Sequence, residues 1–168
     1  RSLTTPSLIF TCSWSDFFIE EADQWREKAW DVIRNHPQHQ WQILTKRPER
    51  IKDCLPPDWG NGWSHVWLGV TIESDKYKDR LLELHKLKKP NSQFITFVSY
   101  EPAIGSLDLM TDKKIRDEFQ RLDWMIVGGE SGNDNGKYRY RPCEIDWITS
   151  MIDQCKQAGV AVFVKQTG

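Results

Sequence analysis

Six short apolar runs alternate along the chain with segments whose apolar residues recur every three or four positions. The runs are SLIFTC (7–12), QWQILT (40–45), HVWLGVTI (65–72), QFITFVS (93–99), WMIVGG (124–129) and VAVFVK (160–165). Being short, nearly continuous and rich in β-branched and aromatic residues, they read as strands buried on both faces. Between them, Phe18, Ala22, Trp25, Ala29 and Val32 recur at helical spacing, as do Tyr77, Leu81 and Leu84, and then Ile145, Ile148, Ile152 and Cys155. Each set forms one apolar stripe on an amphipathic helix. NHPQ, KKPN and QAGV supply the stop signals, and Pro48 is placed to start a further helix.

Strand and helix in alternation predict a parallel sheet, because parallel neighbours require a crossover connection of about a dozen residues or more. Roughly six such units fit, and a complete eightfold barrel takes about 250 residues. A chain of 168 residues therefore forms an open or partial barrel, or a doubly wound sheet. LPPDWGNGW (55–63) and SGNDNGKYRYRP (131–142) read as loops. With 39% hydrophobic residues the chain suits one globular domain.

The formal charge of −1, from 23 basic and 24 acidic residues, gives no global field for nucleic acid or an acidic membrane, so binding of either has to be local. No leader-like or long apolar span appears, which predicts no membrane association and a reducing, cytoplasmic setting with free thiols. Nine tryptophans are many for this length. Trp14, Trp25, Trp30, Trp41, Trp67, Trp124 and Trp147 fall in or beside apolar segments and are expected in the core. Cys12, Cys54, Cys143 and Cys155 lie far apart, so their spacing encodes no metal or iron–sulfur site. His36, His39, His65 and His85 sit at helix stops, at a strand start or within a helix, and read as structural.

The candidate chemistry follows the strands. Asp16 comes after the first, Lys46 and Arg47 after the second, Glu73 after the third, Glu101 after the fourth and Glu130 after the fifth, while Lys165 ends the sixth. In an all-parallel sheet these carboxyl ends share one edge, where such folds place ligands. Lys46, Arg47 and Lys165 suit anionic groups. GGESG lacks both the Lys-Ser/Thr of a phosphate loop and the third glycine of a dinucleotide fingerprint. Gly128 and Gly129 instead permit close backbone approach, offering amides to a carboxylate or phosphate and aiming Glu130 at the mouth. No catalytic residue is singled out.

SWSDFF, LTKRPERI, WLGVTIES, EPAIG, DWMIVGGESG and DQCKQAGVAVFVKQ, in that order over nearly the whole chain, resemble the successive motifs of a phage-associated family of radical-SAM-like barrel proteins. That family is often described with a three-cysteine motif and a separate partner protein. The resemblance implies an α/β fold with a partial (β/α) barrel of about six parallel strands, forming one domain over residues 1–168 of a longer protein. It also implies a [4Fe-4S] cluster held by three cysteines and S-adenosylmethionine as cofactor; placement at the strand ends then puts Gly128, Gly129, Glu130 and Glu73 at the cofactor. Asp16, Lys46, Arg47, Glu101 and Lys165 are then substrate or anion candidates. The family's cysteine motif precedes the segment matching SLIFTCSWSDFF, and only six residues precede it here, so either the cluster ligands lie upstream of this chain or the protein is a degenerate member that holds no cluster. Two other readings stay open. Asp16, Glu73, Glu101 and Glu130 could hold Mg²⁺ or Mn²⁺ in a lyase or hydrolase. Tyr138, Arg139, Tyr140 and Arg141 could serve a non-enzymatic phage accessory module that binds nucleic acid.

Overall fold

The structure is a computed structural model that describes residues 5–131 and 140–167. Six strands lie in one sheet in chain order: β1 (Leu8–Phe10), β2 (Gln40–Thr45), β3 (Val66–Thr71), β4 (Ile95–Tyr100), β5 (Trp124–Gly128) and β6 (Ala161–Gln166). All five neighbouring pairs are parallel, and the sheet curls into a half-barrel. The crossovers carry α1 (Asp23–Asn35), α2 (Pro48–Cys54), α3 (Arg80–His85), α4 (Lys113–Phe119) and α5 (Ile145–Ala158). The partial barrel read from the sequence is therefore the fold, and the doubly wound alternative is not.

Local chemistry sets the helix ends. Pro48 opens α2, where its missing N–H costs nothing. The Asp112 carboxylate accepts the Ile115 N–H at 3.0 Å and starts α4, a helix with no counterpart in the apolar stripes of the sequence. Gly159 ends α5 in a left-handed conformation (φ 73°), and the Val160 N–H returns to the Cys155 carbonyl at 2.9 Å.

One core lies between the sheet and the helices. Val66, Leu68 and Val70 of β3, Val98 and Tyr100 of β4, and Met125 and Val127 of β5 project into it, meeting Ile51, Leu81, Leu84, Ile115, Phe119, Ile148 and Met151. The stripe of α1 is rotated from the expected one. Arg26, Trp30 and Ile33 are buried, whereas Trp25 is 58% exposed and Val32 is 44% exposed. Arg26 takes the inward position because its guanidinium donates to the carbonyls of Phe17 (3.1 Å) and Ile19 (2.8 Å), closing the turn before the helix. Trp14 is wholly exposed, so it and Trp25 are not core residues. The expectation of double-sided burial holds for β3 and β4 and fails for the outer strands. β1 and β6 are mostly exposed, because an unclosed barrel gives each edge strand only one neighbour.

Candidate functional site

The period of two along a strand sorts the remaining side chains onto the helix-free, concave face. Strand register aligns Phe10, Gln42 and Trp67 across β1 to β3. One level higher it aligns Leu44, Gly69, Phe97 and Trp124, and above that Thr71, Ser99, Ile126 and Phe163. The aromatic members touch edge to face or tilted: Trp67 meets Trp124 at 5.2 Å, Phe97 meets Trp124 at 6.1 Å and Trp124 meets Phe163 at 6.3 Å between ring centroids. Gly69 lets the Phe97 ring lie over β3, since a Cβ there would sit 2.4 Å from the ring.

Two residues further along, the same alternation brings charged side chains to the rim. Lys46 donates to Glu73 at 2.5 Å, and Glu73, only 6% exposed, also accepts from Arg80 at 2.9 Å. Arg80 is fixed in turn by the Thr71 carbonyl at 2.7 Å and by the face of Tyr77 at 4.3 Å. Lys165 pairs with Glu101 at 2.9 Å beside Gly128, where a Cβ would lie 3.6 Å from the Glu101 carboxyl carbon and 3.3 Å from the Gln166 carbonyl oxygen. Glu130 is gripped by Arg141, whose guanidinium donates at 2.5 and 3.0 Å and whose backbone N–H donates at 2.7 Å. Those bonds hold its carboxyl down at about 2, with a smaller contribution from the Lys46 charge. The Glu73 charge likewise helps raise Arg141, so Lys46, Glu73, Glu130 and Arg141 share one electrostatic neighbourhood.

Asp16 and Arg47 do something else. The Asp16 carboxylate accepts from the Phe18 N–H (2.9 Å), the Thr45 hydroxyl (2.7 Å), the Lys46 N–H (2.9 Å) and Arg47 (3.0 Å). Burial pushes its pKa up, but these bonds outweigh it and leave the group below the usual carboxylate range. With its acceptor sites filled, Asp16 staples the loop after β1 to the end of β2, and Arg47 is part of that staple. The Gly129 N–H is also taken, donating to the Gln166 carbonyl at 3.0 Å. It is not the open amide that the glycine pair suggested. Of the 131–142 loop, residues 132–139, including Tyr138 and Arg139, lie outside the described residues, while Tyr140 is 40% exposed and Arg141 serves Glu130.

Residues 1–168 match the family described as Protein of unknown function (DUF5131). The chain belongs to that family. No curated protein and no solved structure matches it. For this DUF5131 protein the rim contains two cations that strand-end reading overlooked, Arg80 and Arg141. Neither follows a strand directly: Arg80 opens α3 and Arg141 lies eleven residues beyond Glu130. The aromatic floor was legible in principle, because Trp67, Phe97, Trp124 and Phe163 stand at even spacing from Glu73, Glu101, Gly128 and Lys165 along or just past their strands. Among the described residues no group of three or more His, Cys, Asp or Glu is arranged to hold a metal ion, and no helix is long and apolar enough to cross a membrane.

Proposed function

We propose that this half-barrel is the cofactor- and substrate-binding part of a phage-associated, radical S-adenosylmethionine-like enzyme, and that its rim holds the amino-acid end of S-adenosylmethionine. The observation that supports this is the run of alternating charges on the carboxyl edge: Glu73 between Lys46 and Arg80, Glu130 with Arg141, and Glu101 with Lys165. A zwitterion carries one ammonium and one carboxylate, and it can insert into such pairs by exchanging partners without leaving a charge unmatched. Glu130 or Glu73 would take the ammonium, and Lys46 or Arg141 the carboxylate. Gly128 would contribute space beside Glu101 rather than a donor.

The residues present do not fit the iron–sulfur cluster. Cys12 is exposed in the loop after β1, Cys54 ends α2, Cys143 precedes α5 and Cys155 is buried within it. Burial pushes the Cys155 thiol up to about 12, away from the thiolate that ligation needs. Any cluster ligands would belong to another segment or to the separate partner protein that this reading includes, together with a cytoplasmic setting. This chain's own part is binding and orientation. The divalent-metal reading gains no support, because Asp16, Glu73, Glu101 and Glu130 are each already engaged by a cation.

The test is calorimetric titration of the purified protein with S-adenosylmethionine, with and without Glu130→Gln. Loss of one charge-assisted hydrogen bond costs about 1.5–3 kcal/mol, so affinity should fall roughly tenfold to more than a hundredfold with folding intact in melts. Unchanged affinity in the folded variant, or no binding by the folded parent, overturns the proposal.

A further inference from the structure

On the helix-bearing side of the sheet, α2, α3 and the loops leading into β3 and β4 enclose a cavity of about 340 Å³. None of the rim's charged residues lines it. Trp59 and Phe94, tilted against each other at 5.5 Å between ring centroids, close its back, and the half-buried Leu55 and Leu87 form its sides. The loops that carry these residues are pinned. The Trp59 N–H donates to the Pro56 carbonyl at 3.0 Å, the Ser92 N–H to the Lys89 carbonyl at 3.0 Å, and the Gln93 N–H joins the two loops through the Asn61 carbonyl at 2.9 Å. Gly62, at φ 94°, lets the Phe94 ring sit under the first loop, since a Cβ there would lie 2.3 Å from its Cδ1. The cavity is therefore preformed.

Charge and size define what it takes. Lys52, Lys86 and Lys89 stand around the apolar back with Glu49 and Glu83, so the lining carries one positive charge in excess. Glu83 is taken by Lys86 at 2.5 Å. Among the described residues neither the Lys52 nor the Lys89 ammonium has a partner. A single negative charge balances that excess, whereas a cation adds to it and a dianion overshoots it. The volume lies near the low end of small-molecule pockets, which run from about 300 to 1,000 Å³, so it suits one ring or branched chain. A bound helix or strand would need an extended groove with anchors at several turns or alternate residues.

We infer that this cavity binds a small organic monoanion, a compact apolar body bearing one carboxylate, with the body against Leu55, Leu87 and Trp59 and the carboxylate toward Lys52 and Lys89. The inference does not depend on the rim reading, because the two sites share no residue.

The purified protein is titrated with phenylacetate, one ring carrying one carboxylate, and followed by heteronuclear NMR. Phenethylamine presents the same ring with a positive charge, benzyl alcohol a ring with none, and acetate the charge without a ring. Phenylacetate should shift the signals of residues 55–61 and 86–94 saturably and bind about fivefold or more tighter than each of the other three. Lys52→Glu and Lys89→Glu each turn the positive excess into a negative one. Each should weaken phenylacetate about fivefold or more with the melting temperature unchanged, since neither ammonium holds the fold together. No shifts at those residues, equal binding of phenethylamine, or full affinity in both variants overturns the inference. Saturating S-adenosylmethionine should leave phenylacetate bound, and displacement would overturn the assignment to this cavity. Failure of S-adenosylmethionine to bind sinks only the rim reading, and S-adenosylmethionine binding without these shifts sinks only this one.

Discussion

Gly69→Ala is the most direct perturbation of the concave face. An added Cβ would lie 2.4, 2.5 and 2.6 Å from Cζ, Cε1 and Cε2 of Phe97, three contacts that real side chains do not sustain. The ring cannot simply withdraw, because Phe97 is wholly buried and its ring is tilted against Trp124 at 6.1 Å. Trp124 in turn holds Trp67 and Phe163. Forced overpacking of this kind costs about 1–3 kcal/mol. In a chain of this size each kcal/mol moves the melting temperature by about 2–4 °C, so Gly69→Ala should lower it by roughly 2–12 °C. A thermal melt followed by near-ultraviolet circular dichroism reads both the shift and the aromatic row. The diagnostic is the double variant with Phe97→Leu. Phe97→Leu alone leaves a void and destabilises, but in the Gly69→Ala background it also removes the clash. The two changes should then fall short of additivity by about 0.5–3 kcal/mol. Additive losses, or a Gly69→Ala protein as stable as its parent, would show that Phe97 does not lie over Gly69.

Two further outcomes follow from the rim. Glu130 titrates at about 2, below the ordinary carboxylate value, so its pair with Arg141 stabilises the fold fully above roughly pH 4.3 and loses that contribution as pH falls toward 2. The gap between the parent and Glu130→Gln melting temperatures should therefore close across that window, and a gap constant from pH 6 to 2 would contradict the pairing. Asp16→Asn keeps the shape but turns an acceptor into a donor facing the Lys46 N–H and Arg47. It should cost about 1.5–3 kcal/mol in urea unfolding, and a neutral result would mean that Asp16 is not the staple described above.

The parallel sheet was readable because two signals agreed: nearly continuous apolar runs, and crossovers long enough for a helix. The rotation of α1 was not readable from hydrophobicity. Trp25 and Val32 fit an apolar stripe as well as Trp30 and Ile33 do, and the face was decided by Arg26, which is buried for the two carbonyls that it satisfies. Propensity and pattern carry no information about such an acceptor, since it arises only once the preceding turn has folded. The helix α4 escaped for a related reason: it is seven residues long, buries only Ile115 and Phe119, and depends on the Asp112 cap more than on a stripe.

The rim shows where strand-end reasoning stops. A charge directly after a strand is placed by the sheet, and Lys46, Glu73, Glu101 and Lys165 do converge in pairs at one edge. What each charge does there depends on partners supplied by other segments. Asp16 stands at a strand-end position like the others, yet four donors from the loop after β1 and the end of β2 consume it. Glu130 is governed by Arg141, beyond a loop whose length the strand pattern does not constrain. The rim therefore divides by accessibility to exchange. Asp16 is locked through two backbone amides that no ligand can replace without unfolding the loop. Glu130 is held by one amide and a guanidinium that is 56% exposed, and Lys46 and Lys165 are about half exposed. Pairs of the second kind can release a partner to a bound ligand at modest cost, which is why the proposed function rests on Glu130, Lys46 and Lys165 and not on Asp16 and Arg47.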